Sequence, residues 1–302
     1  MSRIHDALKR AEQERATSTG THVEPVFDQP QMQNDGLREN MPPLQPLDGT
    51  QMPTMSSGLN YESLLARCPQ SAWTPDERTM LFFQDGENRI GAEEFRTLRS
   101  RLYQIREKIT LKRLMVTSAL PKEGKSFVAA NLAQVLVRQH GRRALLIDAD
   151  LRNPGMHRHL GASQSPGLSE YLLGESDEIG VLQRGPMENL FFMPAGRAIG
   201  SAAELLANGR LKLLLQRLEP LFDWIVLDTS PVIPVSDATL VAGSCDGILM
   251  VVRSNVTPSD LARRAREEFP DKLLLGVVLN GTSSEAIAQS KYYYGEAVNS
   301  QA

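Results

Sequence analysis

The 302-residue chain is short of several things, and each shortage removes a class of protein. It has two cysteines, Cys68 and Cys245, far apart and without metal-ligand spacing. That excludes a disulfide framework and a zinc cluster, and it fits a reducing compartment. No apolar run approaches the ~18 residues that cross a bilayer. The opening "MSRIHDALKRAEQERA" has neither the apolar core nor the small-residue cleavage site of a secretory signal. A cytoplasmic location is therefore expected. Excess charge is also missing: the net charge is −3, which argues against wholesale nucleic-acid binding. Tyrosine is scarce, six residues in all, yet Tyr292, Tyr293 and Tyr294 stand together in the polar stretch "SKYYYGEAVNSQA". Adjacent rings in such a tail cannot all face a core.

Composition divides the rest into four parts. Residues 1–16 read as a short helix capped by Ser2, with Ile4, Ala7, Leu8 and Ala11 on one narrow stripe. So narrow a stripe is marginal alone and needs a surface, on its own domain or on a partner. Residues 17–71, rich in Pro, Gln, Met, Ser and Asn, lack periodicity and are expected to be a disordered linker. Residues 72–283 are the expected domain, and 284–302 a flexible tail carrying the tyrosines.

Within the domain, "TMLFF" is expected as a short edge strand closed by a turn at Asp85–Gly86. A helix follows from about Gly91 to Lys108, with Phe95, Leu98, Leu102 and Ile105 on one stripe. Then come the apolar segments "RLMVTS", "RALLIDAD", "NLFFMPAG", "DWIVLDTS", "DGILMVVRS" and "KLLLGVVLN". Helical stretches near 125–140, 167–174, 201–219, 236–243 and 258–268 lie among them. Short, continuously apolar strands separated by helices predict an α/β fold: a doubly wound, mostly parallel sheet with helices on both faces.

The first of these strands runs into "TSALPKEGKSFVAANLAQ". Against the pattern G-x-x-x-x-G-K-S/T, Gly124, Lys125 and Ser126 fill the last three positions and Ala119 the first. A loop at the start of a helix offers unpaired N–H groups and a positive dipole end, which together cradle phosphates. Lys125 can reach the β and γ oxygens, and the Ser126 hydroxyl can ligate Mg2+. The strand before and the amphipathic helix after argue against a chance glycine turn. Asp148 and Asp150 close the next strand, with Arg152 just beyond, and Asp228 closes a later one. Ligands of open parallel sheets bind outside the carboxyl ends of the strands, so these carboxylates should converge on the loop. Ser126 with Asp228 suits Mg2+, which takes oxygen ligands and keeps waters. Asp148 or Asp150 is then free to accept a proton or orient the attacking group.

These segments resemble a known family. "SALPKEGKS", "LLIDADLR" and "IVLDTSP" are similar to the Walker A, A′ and B motifs of the bacterial tyrosine kinases, which share a P-loop fold with the ParA/MinD ATPases. The resemblance runs from about Trp73 to the end, roughly three-quarters of the chain. It implies ATP and Mg2+ as cofactors, and Lys125, Asp148 and Asp150 as catalytic residues. Ser126, Asp148 and Asp228 would surround the metal. The nucleotide would lie against Ala119, Leu120, Pro121, Lys122, Glu123, Gly124, Lys125, Ser126 and Phe127. "EEFRTLRSRL" matches the family's E-x-x-R-x-x-R helix through Glu93, Arg96 and Arg99, which in relatives lies between subunits of a ring. "GLSEYLLG", "AELL" and "SDA" match too, and "YYYG" resembles a terminal cluster phosphorylated by a neighbouring subunit. Nearly two negative charges per phosphotyrosine would drive such tails apart.

The implied role is control of exopolysaccharide or capsule polymerisation and export. The implied partners are a transmembrane polysaccharide chain-length regulator, which activates the kinase at the inner face of the plasma membrane, and a phosphatase. The N-terminal helix is the candidate docking element. The match has departures: Lys122 stands where many relatives have glycine, Ser230 where many have proline, and the tyrosine cluster is short. Asn280 either meets adenine, as in related ATPases, or closes a turn, and Arg253 reads as a solvated surface arginine rather than a nucleotide contact. Two other functions stay open. One is a ParA/MinD-like positioning switch, against which stands Leu120 where that group carries a lysine; the other is an ATP-binding adaptor that transfers nothing.

Overall fold

The computed structural model describes residues 59–68, 70–83, 91–139, 141–270 and 272–283. The N-terminal helix, most of the linker, the Asp85–Gly86 turn and the tyrosine cluster lie outside the described residues.

All six expected strands form, as β1 (Arg113–Ser118), β2 (Ala144–Asp148), β4 (Leu190–Met193), β5 (Trp224–Asp228), β6 (Gly247–Arg253) and β7 (Leu274–Asn280). A short β3 (Gln183–Arg184) joins them. The sheet order is β3-β4-β2-β5-β1-β6-β7. Every neighbour is parallel except β3, which runs antiparallel to β4. Because β5 lies between β1 and β2, its tip is shared: Asp228 is level with Val116 on one side and with Asp148 on the other.

Alternate residues of each strand feed opposite faces, as a pleated strand requires. Met115, Leu145, Ile147, Phe191, Ile225 and Leu227 face one core. It is covered by α1 (Tyr61–Arg67), α5 (Leu168–Leu173), α6 (Ala202–Ala207), α7 (Arg210–Leu218), α8 (Asp237–Ala242) and α9 (Ser259–Glu267). Leu114, Val116, Leu146, Phe192, Trp224 and Val226 face the other, under α2 (Ala92–Arg106), α3 (Lys125–Val137) and α4 (Met156–Leu160). Every residue from Val128 to Val137 is buried, because α3 is sandwiched between the sheet and α2. The α2 stripe is as expected, with Phe95 and Leu102 buried and Leu98 and Ile105 packed beside them.

Three expectations need correction. The "TMLFF" segment is not a strand: residues 81–83 form a bend lying on α3. Its backbone is satisfied by side chains instead of a ladder, the Asn131 amide oxygen accepting Leu81 N–H (2.8 Å) and the Gln134 amide oxygen accepting Phe82 N–H (3.1 Å). The linker expectation over 17–71 fails for the described residues at its C-terminal end, which are folded. There Asn60 caps α1, Leu64 is fully buried, and the Tyr61 hydroxyl donates to Asn189 (3.1 Å). The single helix expected over 201–219 is two, broken where Gly209 takes φ 80°. Neither α4 nor β3 was foreseen.

Candidate active site

β1 ends at Ser118, and residues 119–124 turn the chain into α3. The turn depends on left-handed backbone at Lys122 (φ 65°) and Gly124 (φ 95°). A Cβ on Gly124 would stand 1.9 Å from the Asn280 amide nitrogen, so glycine is required there twice over. Lys122 holds a left-handed conformation that suits glycine far better, which gives a physical reason for the departure noted at this position. Ala119, in the first position of the motif, is fully buried.

Lys125 opens α3, and its ammonium lies 3.0 Å from Asp150 Oδ2 and 3.9 Å from Asp228 Oδ1. It also donates to the Ser126 hydroxyl at 3.4 Å. Burial works against its charge, but Asp228, Asp150 and Asp148 together outweigh burial and raise its pKa. The sheet therefore does converge Asp148, Asp150 and Asp228 on the loop lysine.

The three carboxylates are not equivalent. Asp148 Oδ1 accepts Asp150 N–H at 3.2 Å, while Oδ2 accepts Gly155 and Met156 N–H at 3.2 and 3.1 Å and so seats the start of α4. Burial first, then the neighbouring Asp228 charge, push Asp148 up to about 7. Asp150 Oδ1 accepts Asn153 N–H at 3.1 Å, leaving Oδ2 on Lys125. Asp228 is pushed up to about 6 by burial, against the pull of Lys125 and the Ser126 hydroxyl. Its Oδ1 has no hydrogen-bond partner, and neither has the buried Ser230 Oγ.

Other expected residues sit elsewhere or differently. Arg253 is exposed as expected, yet its Nη1 donates to the Lys122 carbonyl at 3.2 Å. Asn280 does more than close a turn: its Nδ2 donates to the Glu123 carbonyl at 2.9 Å. The Phe127 ring packs edge-on against Phe95 of α2, 5.8 Å between centroids. Arg152 grips Asp237 with two contacts, 2.6 Å from Nε and 3.0 Å from Nη2, and so ties the loop after β2 to α8. Both partners lay in matched segments, "LLIDADLR" and "SDA", but nothing in their spacing showed that they pair. Glu93, Arg96 and Arg99 lie on α2; Arg96 pairs with Glu93 at 3.0 Å, and Arg99 donates to the Val135 carbonyl at 3.1 Å.

Asp228, whose Oδ1 is buried without a hydrogen bond, interacts with the Ser126 hydroxyl at the start of α3, a donor pair that suits a hydrated divalent cation. Among the described residues, no group of three His, Cys, Asp or Glu could hold a metal by itself. An Mg2+ here would therefore take the Ser126 hydroxyl and Asp228, with water and phosphate oxygens completing its shell, whereas Asp148 Oδ2 is filled by two N–H groups and Oδ1 keeps one lone pair beside the Asp150 N–H.

A lysine-bearing loop between β1 and α3, faced by strand-tip carboxylates on a parallel sheet, defines a P-loop nucleotide-binding domain. No protein-family model matches the chain. The chain is 33% identical over 206 residues to the tyrosine-protein kinase YwqD of Bacillus subtilis, covering 68% of this chain and 86% of that one. It is 34% identical over 226 residues to the succinoglycan biosynthesis transport protein ExoP of Rhizobium meliloti, covering 73% of this chain but only 29% of that protein. Among solved structures it matches the kinase domain of the Escherichia coli tyrosine kinase ETK with a TM-score of 0.64, at 28% identity, over 72% of this chain and 83% of that one. The septum site-determining protein MinD of Pyrococcus horikoshii, solved with Mg-ADP, shares the fold alone (TM-score 0.50, 20% identity, 58% of this chain and 73% of that one). The chain belongs to the family of bacterial tyrosine-protein kinases, and its class of activity is that of a protein-tyrosine kinase.

Proposed function

We propose that this kinase transfers the γ-phosphoryl group of ATP to Tyr292, Tyr293 and Tyr294 of a neighbouring copy. The observation that carries the proposal is the Lys125 ammonium, held at 3.0 Å from Asp150 and 3.9 Å from Asp228 at the mouth of the loop. Mg2+ would neutralise charge on the phosphates. Lys125 and the first N–H groups of α3 bind and orient the chain of phosphates. Asp150 holds Lys125 in place. The phenol oxygen forms a bond to the γ phosphorus as the bond to ADP breaks, and Asp148 takes the phenolic proton. A carboxylate raised to about 7 has the proton affinity a general base needs at neutral pH.

Partners follow from the relatives rather than the site. The succinoglycan biosynthesis transport protein extends far beyond the kinase-like portion matched here. We propose that a separate transmembrane chain-length regulator supplies the corresponding role, recruiting and activating this chain at the inner membrane face during exopolysaccharide export, with a phosphatase reversing the mark. Among the described residues no helix is long and apolar enough to cross a membrane.

Incubation of the purified chain with ATP and Mg2+, with and without the cytosolic tail of a candidate regulator, tests the proposal by mass-spectrometric mapping of phosphate. Label is expected on the three tyrosines, and Lys125→Met and Asp148→Asn should each reduce it at least a hundredfold, the scale of losing a general base or a phosphate-binding charge. Free phosphate without labelled tyrosine would indicate a positioning ATPase, and neither product an adaptor. Persistent label in clean Lys125→Met protein would refute the role given to that lysine.

A further inference from the structure

We infer that the loop between β6 and α9 sets the shape of the phosphate loop, with Glu123 and Thr257 as its positioning residues. This rests on reading residues 119–126 as a phosphate loop.

Glu123 poses a problem that the proposed activity leaves unanswered. It is buried, only 3% exposed, and it puts a negative charge into a loop whose ligand is a polyanion. Coulomb repulsion from such a charge opposes binding, so the carboxylate must do something else. Its contacts show what. Oε2 accepts Leu120 N–H at 2.8 Å, which closes the loop on itself, and Oε1 accepts the Thr257 hydroxyl proton. The same Thr257 oxygen accepts Arg253 N–H at 3.1 Å. The result is an unbroken chain of hydrogen bonds from the tip of β6, through a hydroxyl, to a carboxylate, and back to the first part of the loop.

Two more struts arrive from the same side. The Arg253 guanidinium holds the Lys122 carbonyl at 3.2 Å, and the Asn280 amide holds the Glu123 carbonyl at 2.9 Å. Residues 253–257 are themselves fixed. Ser254 N–H donates to Asn280 O at 2.8 Å, Thr257 N–H to Arg253 O at 3.0 Å, and Asn255 takes φ 57°. A rigid turn thus pins the two carbonyls that flank the left-handed step at Lys122 and Gly124. With those carbonyls engaged, the first N–H groups of α3 remain for an anion. Without the brace, the strained Lys122 step would relax in the empty protein, and nucleotide binding would carry the cost of restoring it.

The test measures the affinity of the full chain for a fluorescent ATP analogue with Mg2+, and tyrosine labelling against ATP concentration. Thr257→Val keeps the volume but removes the hydroxyl; Thr257→Ser restores it. Glu123→Ala removes the carboxylate, whereas Glu123→Gln keeps an acceptor for Leu120 N–H and removes the charge. Thr257→Val and Glu123→Ala should weaken nucleotide binding about ten- to a hundredfold, the scale of a lost charge-assisted hydrogen bond. KM for ATP should rise with them, and in Thr257→Val kcat at saturating ATP stays within about twofold of the parent, as for lost uniform binding. Thr257→Ser should bind as tightly as the parent chain, whereas Glu123→Gln, with one acceptor oxygen for both the Leu120 N–H and the Thr257 hydroxyl, should fall between the parent and Glu123→Ala. Thr257→Val is half-exposed and conserves volume, so it serves even where Glu123→Ala folds poorly. A parent chain that binds no nucleotide overturns the reading of the loop itself. A parent that binds, with Thr257→Val binding equally well, overturns the brace alone.

Discussion

A carboxylate sealed beneath a strand tip with one oxygen lacking any hydrogen bond ought to weaken the fold that contains it, and Asp228 is in that position. Burial raises its pKa to about 6 even though Lys125 stands nearby. A raised acid binds its proton more tightly folded than unfolded. Its contribution to stability is complete below about 3.9, the unfolded value, and is lost as pH rises through about 6. Asparagine carries no charge to bury. Relative to the nucleotide-free parent, Asp228→Asn should therefore gain stability as pH rises from about 4 to about 6, from a starting point lowered by the lost attraction to Lys125. Thermal melts of both proteins across that range decide the matter; a difference in melting temperature that does not move in the variant's favour between about pH 4 and pH 7 would refute the claim. Activity should fall at the same time, because the free oxygen is the one suited to Mg2+. The position of Asp228 was legible in "IVLDTSP", since an apolar strand has to end somewhere near its first carboxylate. That one oxygen lacks a partner was not legible, because it depends on Asp148 and Val116 being its cross-strand neighbours.

Elements read well where periodicity is regular, as in the six parallel strands and the α2 stripe. They read badly where tertiary contacts do the work of local ones. The "TMLFF" stretch has the composition of an edge strand because Met80, Leu81 and Phe82 are buried. Its N–H groups, however, are met by Asn131 and Gln134 of α3, fifty residues away in sequence, and amide side chains on a helix carry no signal that they replace a strand. α1 escaped notice because its seven residues lie next to a polar, proline-rich stretch; only the fit of Leu64 into the core and of Tyr61 against Phe191 makes it a helix. The same contacts give a prediction at this scale. Asn131 also donates to the Thr79 carbonyl at 2.8 Å, so Asn131→Leu strands one buried donor and one acceptor of the 79–82 segment. A loss of about 2–4 kcal/mol is expected in denaturant unfolding, from two groups left without partners. The Leu81 amide should exchange with solvent much faster, while β5 amides still exchange only through global unfolding. Equal protection at Leu81 in both proteins would mean that the segment is held by its apolar side chains alone.

For the whole molecule, the open question is which copy's tyrosines meet which copy's lysine. The resemblance implies a contact between subunits through Glu93, Arg96 and Arg99, but the phosphoacceptors lie outside the described residues. Reach does not decide it. β7 ends at Asn280, whose amide already touches the phosphate loop, so the tail leaves from the rim of its own site. From Ser283 to Tyr292 the backbone can span about 30 Å at most, enough for its own site or a neighbour's. We favour the neighbour. Arg96 and Glu93 present an exposed, self-complementary pair of charges on α2, while the nearby Arg99 is partly committed to the end of α3. Arg96→Ala should therefore lower self-association with little effect on the melting temperature, as expected of an exposed ion pair. Mixing two defective chains then resolves the direction of transfer. Lys125→Met offers tyrosines without catalysis; a chain carrying Tyr292→Phe, Tyr293→Phe and Tyr294→Phe offers catalysis without tyrosines. Label on the Lys125→Met chain, rising with the concentration of its partner and falling when both carry Arg96→Ala, is the expected result. A parent that labels itself while the mixture stays unlabelled would show that each tail folds back onto its own lysine, and α2 would then have no part in catalysis.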